Sequence, residues 1–222
     1  MILSAHQPQF MPWLGYFDRM RSCDLFVLLD SVQYKRNEWQ NRNRILTTQG
    51  PQWLTVPVLH TFGQRIDETL LNNTTNWKRK HLHTLAQNYG RAEGFAKLMP
   101  RIEKMYAPNH EVLSQVNLAS LRLLAEELRV TTRQVLLSEN EVEGSASLRL
   151  VNLCKKFGTD TYLAGAGGMD YMDMTLFAQA GIKVIFQDYR HPVYRQRGPE
   201  FTPNLSALDL VFHTGTAAAQ IY

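Results

Sequence analysis

The N-terminal stretch reads Ile2-Leu3-Ser4-Ala5-His6-Gln7-Pro8-Gln9, then Pro12-Trp13-Leu14-Gly15-Tyr16-Phe17-Asp18-Arg19-Met20-Arg21, then Leu25-Phe26-Val27-Leu28-Leu29-Asp30. Ile2 to Ala5 is a short apolar run that ends in polar and proline-bearing residues. Pro12 suits the first turn of a helix, where its missing N–H has no partner to lose. Trp13, Phe17 and Met20 then recur at helical spacing. Leu25 to Leu29 is a second apolar run, closed by Asp30. Strand, proline-marked turn, helix, strand, with both strands apolar almost throughout, is what a parallel sheet covered on both faces requires.

The same alternation resumes near the other end. Gln134 to Leu137 is strand-like, and Ser147 to Phe157 reads as a helix with Leu148, Val151 and Cys154 on one side, stopped by Gly158. Thr161 to Ala164 is a short strand, Tyr171 to Ala180 a helix, and Ile182 to Phe186 the last strand. The tail from Gln187 reads mostly as loop. Between the two ends, Ser31 to Arg44 is polar and poor in aliphatics, and Trp53 to Val58 is strand-like with Pro57 favouring an edge. From about 76 to 128 the pattern is helical: Val112, Val116, Ala119, Leu123 and Glu127 step along one helix, with Leu124 and Leu128 widening its stripe. The expectation is a single α/β domain over 1–222, a three-layer Rossmann-like parallel sheet, with a mainly helical insertion at about 76–128.

Of the 222 residues 44% are hydrophobic, enough for a sizeable core. The apolar runs are far too short to span a bilayer. The first residues carry neither a basic region nor a cleavable apolar stretch, so a cytoplasmic location is expected. Cys23 and Cys154 lie far apart and read as free thiols of a reducing compartment. No cysteine pair has zinc spacing, and His81-Leu82-His83 lacks further ligands, so no metal site is expected. A net charge of +4 favours an acidic partner such as a phosphate-bearing metabolite or a nucleotide. The run Lys78-Arg79-Lys80-His81 reads as a solvated helix face. Without a recognised module or a basic tail, nucleic acid ranks last among partners. The residues name no cofactor and leave a homo-oligomer open.

Ligands of open parallel sheets sit beyond the C-terminal ends of the strands. Four segments leave such ends with unusual polar content: His6 to Gln9, Asp30 to Lys35, Gly165-Ala166-Gly167-Gly168, and Gln187 to His191. Their convergence on one crevice is the expectation. Gln33, Tyr34, Lys35, Trp39, Asn41, Arg42 and Asn43 gather amides, cationic groups and rings suited to phosphate, sugar hydroxyls and stacking. An ordinary solvated loop is the plainer account of the same residues. Gly165 and Gly167 would let backbone N–H groups approach an anion, although neither G-x-G-x-x-G nor a P-loop motif is present. Gln187, Tyr194 and Gln196 flank His191. His6 and His191 are candidate general bases, though a lone histidine is more often structural. Lys35 and Asp30 follow a strand directly and are further catalytic candidates, Asp30 equally a turn residue. Cys154 reads as core.

His6-Gln7-Pro8, Pro12 to Phe17, Asp24 to Tyr34, Trp39 to Asn43, Trp53 to Val58, Phe186 to Tyr189 with His191-Pro192 and Tyr194 to Gln196, and Leu205 to Leu210 together resemble the WbqC-like proteins. That family is often encoded among genes for bacterial surface polysaccharides. The resemblance implies a transferase acting on an activated sugar or acyl donor, for example in acylation or aminoacylation of an amino sugar. The ligand would then be a small anionic metabolite, a nucleotide sugar or an activated acyl donor. The alternative is a non-catalytic protein that binds a nucleotide sugar or phosphometabolite. The opening also resembles the adenylyl- and cytidylyl-transferases related to pantothenate synthetase. Where those enzymes carry H-x-G-H, this chain has Pro12-Trp13-Leu14-Gly15-Tyr16, without either histidine.

Overall fold

Leu25-Phe26-Val27-Leu28 is buried at every position, the mark of a strand with neighbours on both edges and layers on both faces. A computed structural model describes residues 1–198 and 200–222. In chain order the elements are β1 (Ile2–His6), α1 (Leu14–Arg21), β2 (Leu25–Leu28), β3 (Arg42–Thr47), β4 (Gly50–Thr55), β5 (Val58–Leu59), β6 (Leu70–Leu71), α2 (Trp77–Tyr89), α3 (Phe95–Tyr106), α4 (Leu113–Glu127), β7 (Arg133–Leu136), α5 (Ala146–Lys156), β8 (Thr161–Ala164), α6 (Met174–Gln179), β9 (Lys183–Phe186), α7 (Ala207–Thr214) and α8 (Ala218–Ile221). They fall into two compact units.

The first unit comprises Met1–Gln7, Gly15–Asp30 and Thr131–Arg190. Its five strands are all parallel, in the order β7-β2-β1-β8-β9. The chain steps from β1 to β2 and β7 in one direction, then returns to β8 and β9 in the other. Right-handed crossovers therefore place α1 on one face and α5 and α6 on the opposite face. The result is a three-layer, Rossmann-like α/β fold. Leu3, Phe17, Met20, Phe26, Tyr162 and Phe177 are buried within it. Asp30 joins the C-terminal ends of β2 and β7, accepting from the Ser138 N–H at 2.9 Å and its hydroxyl at 2.6 Å.

The second unit comprises Pro8–Leu14, Ser31–Val130 and His191–Tyr222. It holds the antiparallel hairpin β3–β4, the short pair β5–β6, and helices α2, α3, α4, α7 and α8. Most of α7 is buried, including Ala207, Leu208, Leu210, Val211 and Phe212, so it serves as a central helix with no solvent face. Gly94, between α2 and α3, is a glycine for want of room: a Cβ there would lie 2.2 Å from the Val211 carbonyl oxygen. Its N–H instead reaches the Phe212 carbonyl at 2.8 Å. The three long helices of the expected 76–128 insertion are α2, α3 and α4.

Five local expectations change. The tail is helical over α7 and α8; a helix apolar on nearly every side shows no amphipathic stripe to read. Ser206 caps α7, its hydroxyl accepting from the Leu208 N–H. The helix expected from Tyr171 begins only at Met174, because the Asp173 carboxylate caps the Thr175 N–H. The polar stretch ending at Arg44 turns into strand at Arg42, whose neighbours alternate between a buried face (Asn43, Ile45) and a half-buried one (Arg42, Arg44). On α5, Leu148 is exposed while Ser147, Val151, Leu153 and Cys154 are buried. The glycine segment leads into a short 3-10 turn, Ala166–Asp170, rather than an α-helix.

Candidate functional site

The C-terminal edge of β1, where the strand order reverses toward β8, is where an open α/β sheet forms its crevice. In the first unit this point is occupied by Arg19, from α1. The residue is buried, 8% exposed. Its Nη2 donates to the Ala5 carbonyl at 2.7 Å, the last carbonyl before His6. Nη1 lies 2.7 Å from where a Cβ on Gly165 would stand. Gly165 has an ordinary extended backbone, φ −66° and ψ 160°, so it is a glycine to admit the guanidinium, not to make a turn. Among the described residues no carboxylate pairs with Arg19. A buried cation without a counter-ion is costly unless another anion completes it.

His6 ends β1 beside this group. Its Nδ1 donates to the Gln7 carbonyl at 2.9 Å, which leaves Nε2 as the acceptor of the neutral ring. The ring meets Tyr16 edge-on at 5.1 Å, and the Tyr16 hydroxyl donates to the same Gln7 carbonyl at 3.2 Å. Burial, then the Arg19 charge, lowers the imidazole pKa to about 3. His6 is therefore neutral at neutral pH. An anion paired with Arg19 would offset that charge and raise the basicity of the ring. Gln187 fastens α1 from the end of β9: its Nε2 donates to the Gly15 carbonyl at 2.8 Å and to Asp18 Oδ2 at 2.7 Å. The first unit thus gathers His6, Gln7, Gly165 and Gln187 around α1. Asp30 spends both carboxylate oxygens on Ser138. Gly167 is exposed, with open space where a Cβ would be.

The remaining candidates lie in the second unit. Trp39 meets Trp53 at 5.3 Å. The Arg42 guanidinium stands 4.3 Å above the Trp53 ring, and Arg44 lies 5.9 Å from both rings. This is a cation–π ladder on one face of β3–β4. Asn41 and Asn43 point inward and are structural donors, to the Val56 carbonyl at 2.9 Å and to the Met11 carbonyl at 2.7 Å. Gln33 is exposed and bridges Arg65. Tyr34 is buried against His60, and Lys35 is exposed. Tyr194 and Gln196 both donate to Asp209 Oδ2, at 2.9 and 2.8 Å. His191 is half-buried between Tyr194 and Phe201, its Nδ1 on the Pro192 carbonyl at 2.8 Å. Burial lowers its pKa.

A family model described as the WbqC-like protein family matches residues 7–221. The chain belongs to that family. A relative in Mycobacterium tuberculosis, described as uncharacterized protein Rv1507c, is 36% identical over 216 residues, spanning 96% of this chain and 93% of that one. No solved structure matches the chain.

Two features of this WbqC-like chain escape a reading of the sequence. Arg19 sits among Asp18, Arg21 and other polar residues, so it reads as part of a solvated helix face; only the fold brings it to Ala5 and Gly165. Trp53 and Arg44 belong with Trp39 and Arg42 through hairpin register, since Arg44 pairs directly with Trp53. A period-two reading that started at Arg42 could have found that register. Among the described residues of the WbqC-like chain no cluster of three or more His, Cys, Asp or Glu could hold a metal ion, and no helix is long and apolar enough to cross a membrane.

Proposed function

We propose that this protein is a transferase that takes an activated, phosphate-bearing sugar or acyl donor in the making of a bacterial surface polysaccharide. The observation that carries the reading is Arg19: a buried guanidinium without a carboxylate, at the strand-order reversal of a parallel sheet, beside a glycine that admits it. In this reading an anionic oxygen of the donor takes the place of the missing counter-ion. The attacking amine or hydroxyl forms its bond to the acyl or anomeric carbon as the bond to the phosphate leaving group breaks. The proton released goes to His6 Nε2, whose basicity rises once the anion is bound. General-base help of this kind is worth roughly 10²–10⁴ in rate.

Family membership supports the setting, and the charge and geometry at β1 support the anionic donor. A second reading, a non-catalytic binder of the same metabolites, is favoured by one observation: the unliganded His6 is a weak base, with a pKa near 3. Product formation separates the two.

The test is a thermal-shift and turnover panel of nucleotide sugars, acyl phosphates and acyl-coenzyme A compounds. A ligand at a hundred times its dissociation constant should stabilise the fold by about 2.7 kcal/mol. Gly165→Ala should displace the flexible end of Arg19 and weaken that ligand at least tenfold, with unliganded stability changed little. Arg19→Lys, which keeps the charge but loses the fork, should also weaken it. Unchanged affinity in both variants would remove the anion site from the mechanism. Binding without product, for every compound, would leave the binder.

A further inference from the structure

The second unit holds a cleft of about 1090 Å³ that none of the residues discussed above as catalytic candidates lines. Its walls are the C-terminal end of α2 with residues 90–93, and the strap 195–198 together with His213. Arg91, Arg195 and Arg197 line it, against one carboxylate, Glu93. Among the described residues the Arg91 and Arg195 guanidinium groups have no hydrogen-bonding or ionic partner, whereas Arg197 Nη1 is tied to the Asn88 carbonyl at 3.1 Å.

The strap is held from beneath. Gln196, buried, donates to Asp209 Oδ2 and to the Thr202 carbonyl, and accepts from the Thr202 N–H. The Arg197 N–H donates to His213 Nε2 at 3.1 Å, while His213 Nδ1 donates to the Asp209 carbonyl at 2.8 Å. Those two bonds fix the neutral tautomer of His213. Asp209 itself, fully buried, accepts from the hydroxyls of Tyr89 at 2.7 Å and Tyr194 at 2.9 Å. Two cationic side chains are thus carried on backbone that is already ordered. That arrangement lowers the entropy lost on capturing a ligand.

We propose that this cleft is a binding site for a small molecule bearing a phosphoryl group, gripped by Arg91 and Arg195 with Arg197 as the third donor. Guanidinium forks match phosphate oxygens in a two-pronged geometry, and convergent like charges call for a multivalent anion. The volume lies slightly above the usual range of small-molecule pockets, so there is room for a ligand larger than the phosphate alone. Glu93 accepts from hydroxyl or amine groups of the remainder. The inference is independent of the Arg19 site, because every residue it uses lies in the other unit.

The probe is pyrophosphate, titrated into the full chain and followed by calorimetry and by amide NMR shifts. The expected result is saturable binding that moves the Arg197 and His213 amide signals. The double variant Arg91→Gln/Arg195→Gln, at exposed positions, should weaken it at least about tenfold with the fold intact by circular dichroism. Arg19→Lys should leave those two shifts in place, and Glu93→Gln should tighten binding. Absence of shifts at Arg197 and His213 at millimolar pyrophosphate would overturn the site. Equal affinity in the double variant would do the same. Citrate serves as the carboxylate arm: if it binds there more tightly than pyrophosphate, the phosphoryl assignment fails.

Discussion

Arg19 and His81 show two ways of burying a polar group. Arg19 is buried with its guanidinium on the Ala5 carbonyl, at the C-terminal end of the central strand. His81, on the buried side of α2, is satisfied as a neutral ring: Nε2 donates to the Thr55 carbonyl at 3.1 Å and Nδ1 accepts from the Tyr106 hydroxyl at 3.0 Å. Burial lowers its pKa to about 4. The unfolded chain takes up that proton near the ordinary histidine value of about 6.5, so the stabilisation is fully present above that pH. It is lost as the pH falls from there toward 4 and declines no further below. A lowering of that size corresponds to roughly 3 kcal/mol. His6 acts in the same sense over a wider window, down to about pH 3. Urea unfolding of the wild type between pH 7 and 4 should therefore lose more stability than unfolding of His81→Gln, whose starting stability is lower. Parallel pH profiles for the two proteins would contradict this account. None of it was visible in Lys78-Arg79-Lys80-His81, which reads as one solvated run. Arg79 and Lys80 are exposed as expected, but His81 lies one step further round the helix, on its buried side.

At the scale of elements, the hydroxyl of Tyr89 ties α2, β3 and α7 together. It donates to Asp209 Oδ1 at 2.7 Å and accepts from the Leu46 N–H at 2.9 Å, while the ring stacks on Phe212 at 4.5 Å. Tyr89→Phe keeps the stacking and leaves a buried carboxylate oxygen and a buried amide each short of a partner. The expected loss is about 3 kcal/mol by chemical denaturation, and a change under about 0.5 kcal/mol would show that the hydroxyl holds nothing. The hairpin β3–β4 contributes through its cation–π ladder. Such contacts are worth roughly 0.5–1 kcal/mol each at exposed sites, so Trp53→Ala should lower the thermal midpoint by only a few degrees. Elements with a clean period were legible: α4 and the strands β1, β2, β7, β8 and β9 fall within a residue or two of their expected positions. Elements that break the period were not. Helix α7 has no polar face, and β3 carries two arginines on a strand, so neither presents the pattern that sequence reading relies on.

At the scale of the molecule, the parallel sheet was legible because its strands are apolar at almost every position and separated by turn residues. The candidate site was legible only in part. That His6, Gly165 and Gln187 stand at strand ends was legible, but the surroundings of Arg19 and the cleft beside Arg91 arise from segments far apart in sequence, and one chain read alone carries no sign of such meetings. The two thiols are a test of the first unit, which holds both. Cys23 and Cys154 are buried; burial pushes Cys23 up to about 12 and raises Cys154. Iodoacetamide at neutral pH should label neither in the native protein over minutes and both in urea, so that native labelling tracks opening of that unit. Rapid reaction of either thiol without denaturant would contradict the packing around it.

The connectivity of the two units has a consequence for synthesis. Neither is a continuous stretch, and the chain passes between them five times. A nascent chain that has emerged only as far as Val130 lacks β7, β8 and β9, and Phe26 has no complete sheet to enter. It also lacks α7, so the ring of Tyr89 has no Phe212 to meet. Neither unit can therefore finish folding early in synthesis: the first waits for Arg190, the second for α7 and α8. Exposed apolar strands must be sheltered until the last fifth of the chain is made.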